Sequence, residues 1–260
     1  MSRPVLPQPA LAPGLLAAAP LFALYEWGLA AGGVAAGRNG AELVLTAVLR
    51  PAGPHLALAR GIAVAALVAG AFLVTRRREA ALGRALLATV GQGALAALVL
   101  GPLLVGLTSL LDVSPLARGF GASEASAVPA LAQAARVGGA AVWEELLYRL
   151  GGHSLAYLAL RRLLSFLGAT GVAGHLVAEL GAILGSSLAF AALHLAAFTA
   201  PIGVGGEPFE GPVFLWRCLA GILLAGLYRW RGLGVAAWAH GLFNLALLLG
   251  ADPGVFQAGP

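Results

Sequence analysis

The chain has 260 residues, of which 60% are hydrophobic and only 10% charged, and its mean hydropathy is +0.89. A soluble domain carries about 25% charged residues, so this composition excludes an ordinary water-soluble globule and makes lipid the solvent. The net charge of +5 does not indicate nucleic acid, because the arginines sit in short loops between apolar runs with no basic stripe of interleaved aromatics.

Apolar runs of about 20 residues, long enough to cross a bilayer, recur along the chain. They predict an all-α polytopic transmembrane helical bundle of about seven spans (seven to eight). The start is broken by Pro4, Pro7, Pro9 and Pro13, with Arg3 as its early charge, and the run that follows is expected to remain in the membrane as a signal anchor. The predicted spans are 14–36, 56–74, 85–111, 131–159, 176–199, 212–228 and 232–250. Segment 41–49 is too short to cross and is expected at the interface. Glycine and proline inside spans (Pro20, Pro102, Gly138-Gly139) are tolerated in membrane helices. Small residues such as Gly61 with Ala65 and Gly221 with Ala225 are spaced to let helices approach. Cys218, the only cysteine, precludes an internal disulfide and is expected simply to pack.

Loop charges alternate. Arg76, Arg77, Arg78 and Arg84 outweigh Glu79, and Arg161, Arg162, Arg229 and Arg231 stand in loops without acids. In the intervening loops Asp112 and Glu124 face Arg118, while Glu207 and Glu210 stand alone. By the positive-inside rule the N-terminus is cytoplasmic and the C-terminus outward. Loop 37–55, with Arg38 and Arg50 against Glu42, is the exception.

Ionisable groups inside a span are costly and demand partners or a function. Span four reads Trp143-Glu144-Glu145-Leu146-Leu147-Tyr148-Arg149, span five ends Phe190-Ala191-Ala192-Leu193-His194, and span seven contains His240-Gly241-Leu242-Phe243-Asn244. Glu145 and Arg149 are four apart on one helix face, in the favourable order, with His153 continuing the stripe. Glu144 is rotated about 100° away and has no basic residue three or four positions off, so its partner must lie on another helix. A carboxylate so placed is suited to take a proton from water. His194 is a candidate to orient that water. His240 and Asn244, four apart, are a candidate donor pair for a developing oxyanion. Such a set suffices for peptide-bond hydrolysis. Alone, either histidine would more often be a packing residue, and the Glu145–Arg149 pair reads as charge neutralisation inside the membrane. His175 and Glu179 read as a paired couple near the span-five terminus. Glu26, Arg136 and Arg217 lie in or near spans without a spacing argument, Arg136 being a candidate to approach a substrate carboxylate.

Glu-Glu-x-x-x-Arg at 144–149, Phe-x-x-x-His at 190–194 and His-x-x-x-Asn at 240–244 resemble, in order, the three motifs of the CAAX-protease and bacteriocin-processing (CPBP) family, which includes type II CAAX prenyl endopeptidases. The likeness covers roughly 130–250. It implies two parts: residues 1–125 as transmembrane helices without a motif, and residues 126–252 as an intramembrane protease core. Carried over, it implies Glu144, His194, His240 and Asn244 as catalytic residues, and Glu145, Arg149 and Phe190 as supporting ones. No cofactor is required. A zinc-dependent version, held by Glu144, His194 and His240, is the alternative chemistry, although the His-Glu-x-x-His pattern is absent. The expected partners are the lipid bilayer and a membrane-anchored or lipidated protein substrate, with no nucleic acid. The expected location is a multi-pass place in a bacterial inner membrane. Glu144 lies roughly 25 Å along its helix from Arg161 at about 1.5 Å per residue, which puts the cavity on the outer half. The competing functions are a non-catalytic immunity or scaffold protein of the same family and a transporter. No matching broken-helix repeat supports transport.

Overall fold

Helix α1, Leu11–Gly32, packs most extensively against α5, Ala130–Glu145. Residues 11–33, 37–76, 79–111, 129–202 and 206–250 are described by a computed structural model. Among them the secondary structure is helical apart from one isolated bridge, Leu195 to Glu207. That follows from the solvent, because lipid offers backbone groups no partners and each segment must satisfy its own. The early Pro4, Pro7 and Pro9, and the loop charges Arg77, Arg78, Asp112, Arg118 and Glu124, lie outside the described residues.

The other elements follow in chain order. A short α2, Gly40–Thr46, passes through a 3₁₀ segment, Ala47–His55, into α3, Leu56–Thr75, and then comes α4, Glu79–Leu110. Helix α5 continues through a π-helical stretch, Leu146–His153, into α6, Ser154–Phe166. Then come α7, Val172–Ala192, the single-turn α8, Ala196–Thr199, and α9, Gly211–Arg231, with α10, Leu233–Gly250, closing the order. Gly232 adopts φ +91° between α9 and α10. Only glycine enters that region without strain, so the chain reverses in one residue.

Glycine also sets how closely the central helices approach. A Cβ on Gly139 would sit 2.6 Å from the Leu21 carbonyl oxygen and the Tyr25 nitrogen, and one on Gly241 would sit 2.6 Å from the Gly138 oxygen. Helices α1, α5 and α10 therefore meet backbone to backbone, as small residues permit in membranes. Trp143 of α5 stands edge-on to Phe22 at 5.3 Å and to Tyr25 at 6.3 Å. These rings form one core with Ala41, Tyr148, Phe190 and Ala237, so the core draws on residues from both sides of position 125. Large apolar side chains such as Leu58, Val74, Leu87 and Leu110 face outward, which a bilayer accepts and water would not.

The protein is an all-α polytopic membrane bundle with five clear spans: Leu11–Gly32, Leu49–Thr75, Leu82–Leu110, Val172–Ala192 and Gly211–Arg231. The predicted fourth and seventh spans do not reach that standard. The α5–α6 path is interrupted by Glu144, Glu145 and Arg149, and the apolar stretch of α10, Leu233–Leu248, is shorter.

Four local expectations are corrected. The short α2 packs against α5, and Glu42, which it carries and which was counted above as a loop charge, is fully buried. It is tolerated there because Arg60 pairs with it and the Tyr25 hydroxyl donates to it at 2.7 Å. Span five stops at Ala192, not 199, because the Glu207 N–H and C=O pair with the His194 oxygen and Ala196 nitrogen and divert the chain. His175 and Glu179 do not pair. His175 meets the Tyr157 hydroxyl at 2.9 Å, while Glu179 holds His153 at 3.1 Å together with Arg229. Finally, Gly61 faces open space while Gly221 packs onto Ser187, so only the second of those small-residue sites is a helix contact.

Candidate active site

The Glu-Glu-x-x-x-Arg motif straddles the point where α5 becomes π-helical, with both glutamates ending α5 and Arg149 inside the wider turn. Such π-bulges are uncommon and recur at functional sites. Glu145 and Arg149 are both fully buried, with Arg149 Nε 3.4 Å from Glu145 Oε2. The Arg149 guanidinium also lies over the Phe190 ring, 5.4 Å from its centroid. Among the described residues none of its nitrogens makes a hydrogen bond. His153 leaves the stripe expected of an unbroken α-helix and turns to Glu179 and the Tyr228 ring. The π-turn accounts for this, since it changes the rotation between Arg149 and His153.

His240 of α10 enters between the two glutamates. Its Nδ1 lies 2.9 Å from Glu145 Oε1 and its Nε2 3.4 Å from Glu144 Oε2. A carboxylate only accepts, so Nδ1 donates to Glu145. The cross-helix partner required for Glu144 is therefore present twice, because Asn39 Nδ2 also donates to its other oxygen, Oε1, at 2.7 Å.

His194 sits in the turn after α7, half-buried. Its Nδ1 donates to the Phe190 carbonyl at 2.7 Å, which directs the remaining nitrogen, Nε2, elsewhere. The charges of Glu144, Arg217 and Glu207 all act on this imidazole. Phe190 is the common wall of the site, with ring centroids 4.9 Å from His194, 5.8 Å from His240 and 5.2 Å from Tyr148. Asn244 is half-buried on α10, and among the described residues no hydrogen bond occupies its carboxamide.

The structure thus joins Glu144, Glu145, Arg149, Phe190 and His240 by direct contact and holds His194 beside them. Asn244 stands one turn from His240 and touches none of the others by hydrogen bond. Among the described residues no three His, Cys, Asp or Glu side chains converge to hold a metal. Both imidazoles commit Nδ1, His194 to the Phe190 carbonyl and His240 to Glu145, which leaves Nε2 as the other nitrogen of each ring.

Sequence reading passed over Asn39 and the cluster behind it. A signal was available: Asn39-Gly40-Ala41-Glu42 has the spacing of a capping box. Asn39 does cap α2, its Oδ1 accepting from the Ala41 N–H at 2.8 Å. Its own N–H donates at 2.7 Å to the Tyr25 hydroxyl, which in turn donates to Glu42. A phenol is inserted into the box.

Buried paired carboxylates, one bound to arginine and one open to an imidazole and an amide, thus lie inside a membrane-embedded helical bundle. Residues 127–246 match the family model described as type II CAAX prenyl endopeptidase Rce1-like. Over that segment the chain is similar to those proteins and has a membrane-embedded protease fold related to the CAAX proteases. Comparison with curated proteins and with solved structures gave no match.

Proposed function

We propose that the protein is an intramembrane endopeptidase that cleaves a peptide bond of a membrane-anchored protein with a water activated by Glu144. The observation that carries this reading is the division of labour around His240: one nitrogen is committed to Glu145, and the other faces Glu144 across 3.4 Å. Glu145, paired with Arg149, anchors the imidazole, while Glu144 makes no arginine pair among the described residues and is the carboxylate left to take a proton from water. In its imidazolium form His240 presents Nε2–H on the Glu144 side, where a tetrahedral oxyanion develops, and Asn244 supplies a second donor. His194, fixed through Nδ1, orients the water with Nε2. Glu144 takes the proton of the attacking water and returns it to the leaving amine, so no further group need gain or lose a proton over the cycle.

The similarity to CAAX endopeptidases favours a substrate tethered near its C-terminus. The loop-charge bias favours an outward-facing site in a bacterial inner membrane, which suits exported or anchored proteins better than cytoplasmic prenylated ones. Membranes from a deletion strain, complemented with wild type or with Glu144→Gln, are compared by C-terminal proteomics. The peptidase reading requires uncut tails in the deletion and Glu144→Gln strains and trimmed tails with wild type. Trimmed tails with Glu144→Gln would instead favour a non-catalytic binding role.

A further inference from the structure

Asn39 caps α2, is bonded to Tyr25 of α1, and is linked through Tyr25 and Glu42 to Arg60 of α3. Its side-chain oxygen must be the atom facing the Ala41 N–H, because that backbone group only donates, so its NH₂ must be the end facing Glu144. The amide is thus orientationally fixed. The backbone of Asn39 is held in turn by the Tyr25 hydroxyl, which is tied to Glu42 at 2.7 Å. Glu42 is fully buried and bound by Arg60, and Arg60 extends to Glu26 at 2.6 Å. Two acids and one arginine are buried or half-buried here, with Arg38 adding a second cation 3.5 Å from Glu42. A partly satisfied buried network is costly, and a connected one makes a rigid frame. Among the described residues, the one side-chain hydrogen bond that leaves this frame is the 2.7 Å bond from Asn39 Nδ2 to Glu144 Oε1.

We propose that Asn39 is a positioning residue for the general base, a role that rests on the peptidase reading of Glu144. By occupying Oε1 it leaves Oε2 as the oxygen on the His240 side and stops the carboxyl from rotating. The N-terminal helices, outside the segment matched by the family model, therefore complete the site. A misplacement on the order of 1 Å at a reacting group costs about a hundredfold in rate, which sets the scale of what this bond controls.

The alternative role, an N-cap alone, is separable by chemistry. Asn39→Ser and Asn39→Asp both keep a capping oxygen, so α2 persists in both, while Ser is too short to reach Glu144 and Asp sets a second carboxylate against it. Turnover is measured on the full-length protein in detergent, with a synthetic peptide carrying the tail found by proteomics. The expected result is a kcat lowered about tenfold to a hundredfold for Asn39→Ser and further for Asn39→Asp, with KM little changed. Wild-type kcat in both variants, or a loss confined to KM, overturns the proposal. A thermal-unfolding cycle reads the contact without any turnover: Asn39→Asp should lower Tm in the wild-type background and much less in Glu144→Gln. An equal drop in both backgrounds also overturns the proposal. If instead the cycle shows coupling while Glu144→Gln turns over normally, the contact stands and the peptidase reading is what fails.

Discussion

Arg149 has no exposed surface, one carboxylate at 3.4 Å and an aromatic face at 5.4 Å. Breaking a buried pair leaves an uncompensated charge and costs about 3–5 kcal/mol. Arg149→Leu is therefore expected to lower the Tm of the detergent-solubilised protein sharply. The double variant Glu145→Gln/Arg149→Leu should regain much of that stability, because neither charge remains. It should not regain activity, since His240 has then lost the carboxylate that fixes its Nδ1. A single Arg149→Leu variant as stable as wild type would show that the pair is no strut.

Among the elements, the α1–α5–α10 junction sets the site, because it carries Glu144 and His240 on two of its members and Tyr25 on the third. Gly139→Ala would push a methyl to 2.6 Å from two backbone atoms of α1, which cannot move aside as a flexible side chain would. Gly139→Ala should thus reduce both Tm and turnover, whereas Gly61→Ala, whose Cβ meets nothing within 4 Å, should leave both unchanged. Thermal unfolding and peptide cleavage on the two variants test this directly. If Gly139→Ala behaved like Gly61→Ala, the close approach would not be what holds Glu144 against α10. The π-helical turn belongs to the same scale. Residue spacing alone put Glu145, Arg149 and His153 in one stripe, and the wider turn gave His153 to Glu179 instead.

For the whole molecule, orientation across the membrane decides which substrates can reach the site. With Cys218 replaced by serine, single cysteines at Phe209 and Phe166, both strongly exposed, report the two ends of the bundle. Loop charge predicts that a membrane-impermeant maleimide labels Phe209→Cys in intact cells and Phe166→Cys only after lysis. The reverse pattern would turn the cavity toward the cytoplasm and bring cytoplasmic lipidated proteins back as substrates. What composition and spacing determined unaided was the solvent, the helical class and the polar positions of 144–149, 190–194 and 240–244, because a charge within an apolar run is visible in one dimension. Which acid faces which imidazole, and that Asn39, Tyr25, Glu42 and Arg60 of the first helices reach Glu144, was decided only by the tertiary structure. Hydrogen bonds act over about 3 Å in space and carry no mark of the 105 residues of chain that separate Asn39 from Glu144.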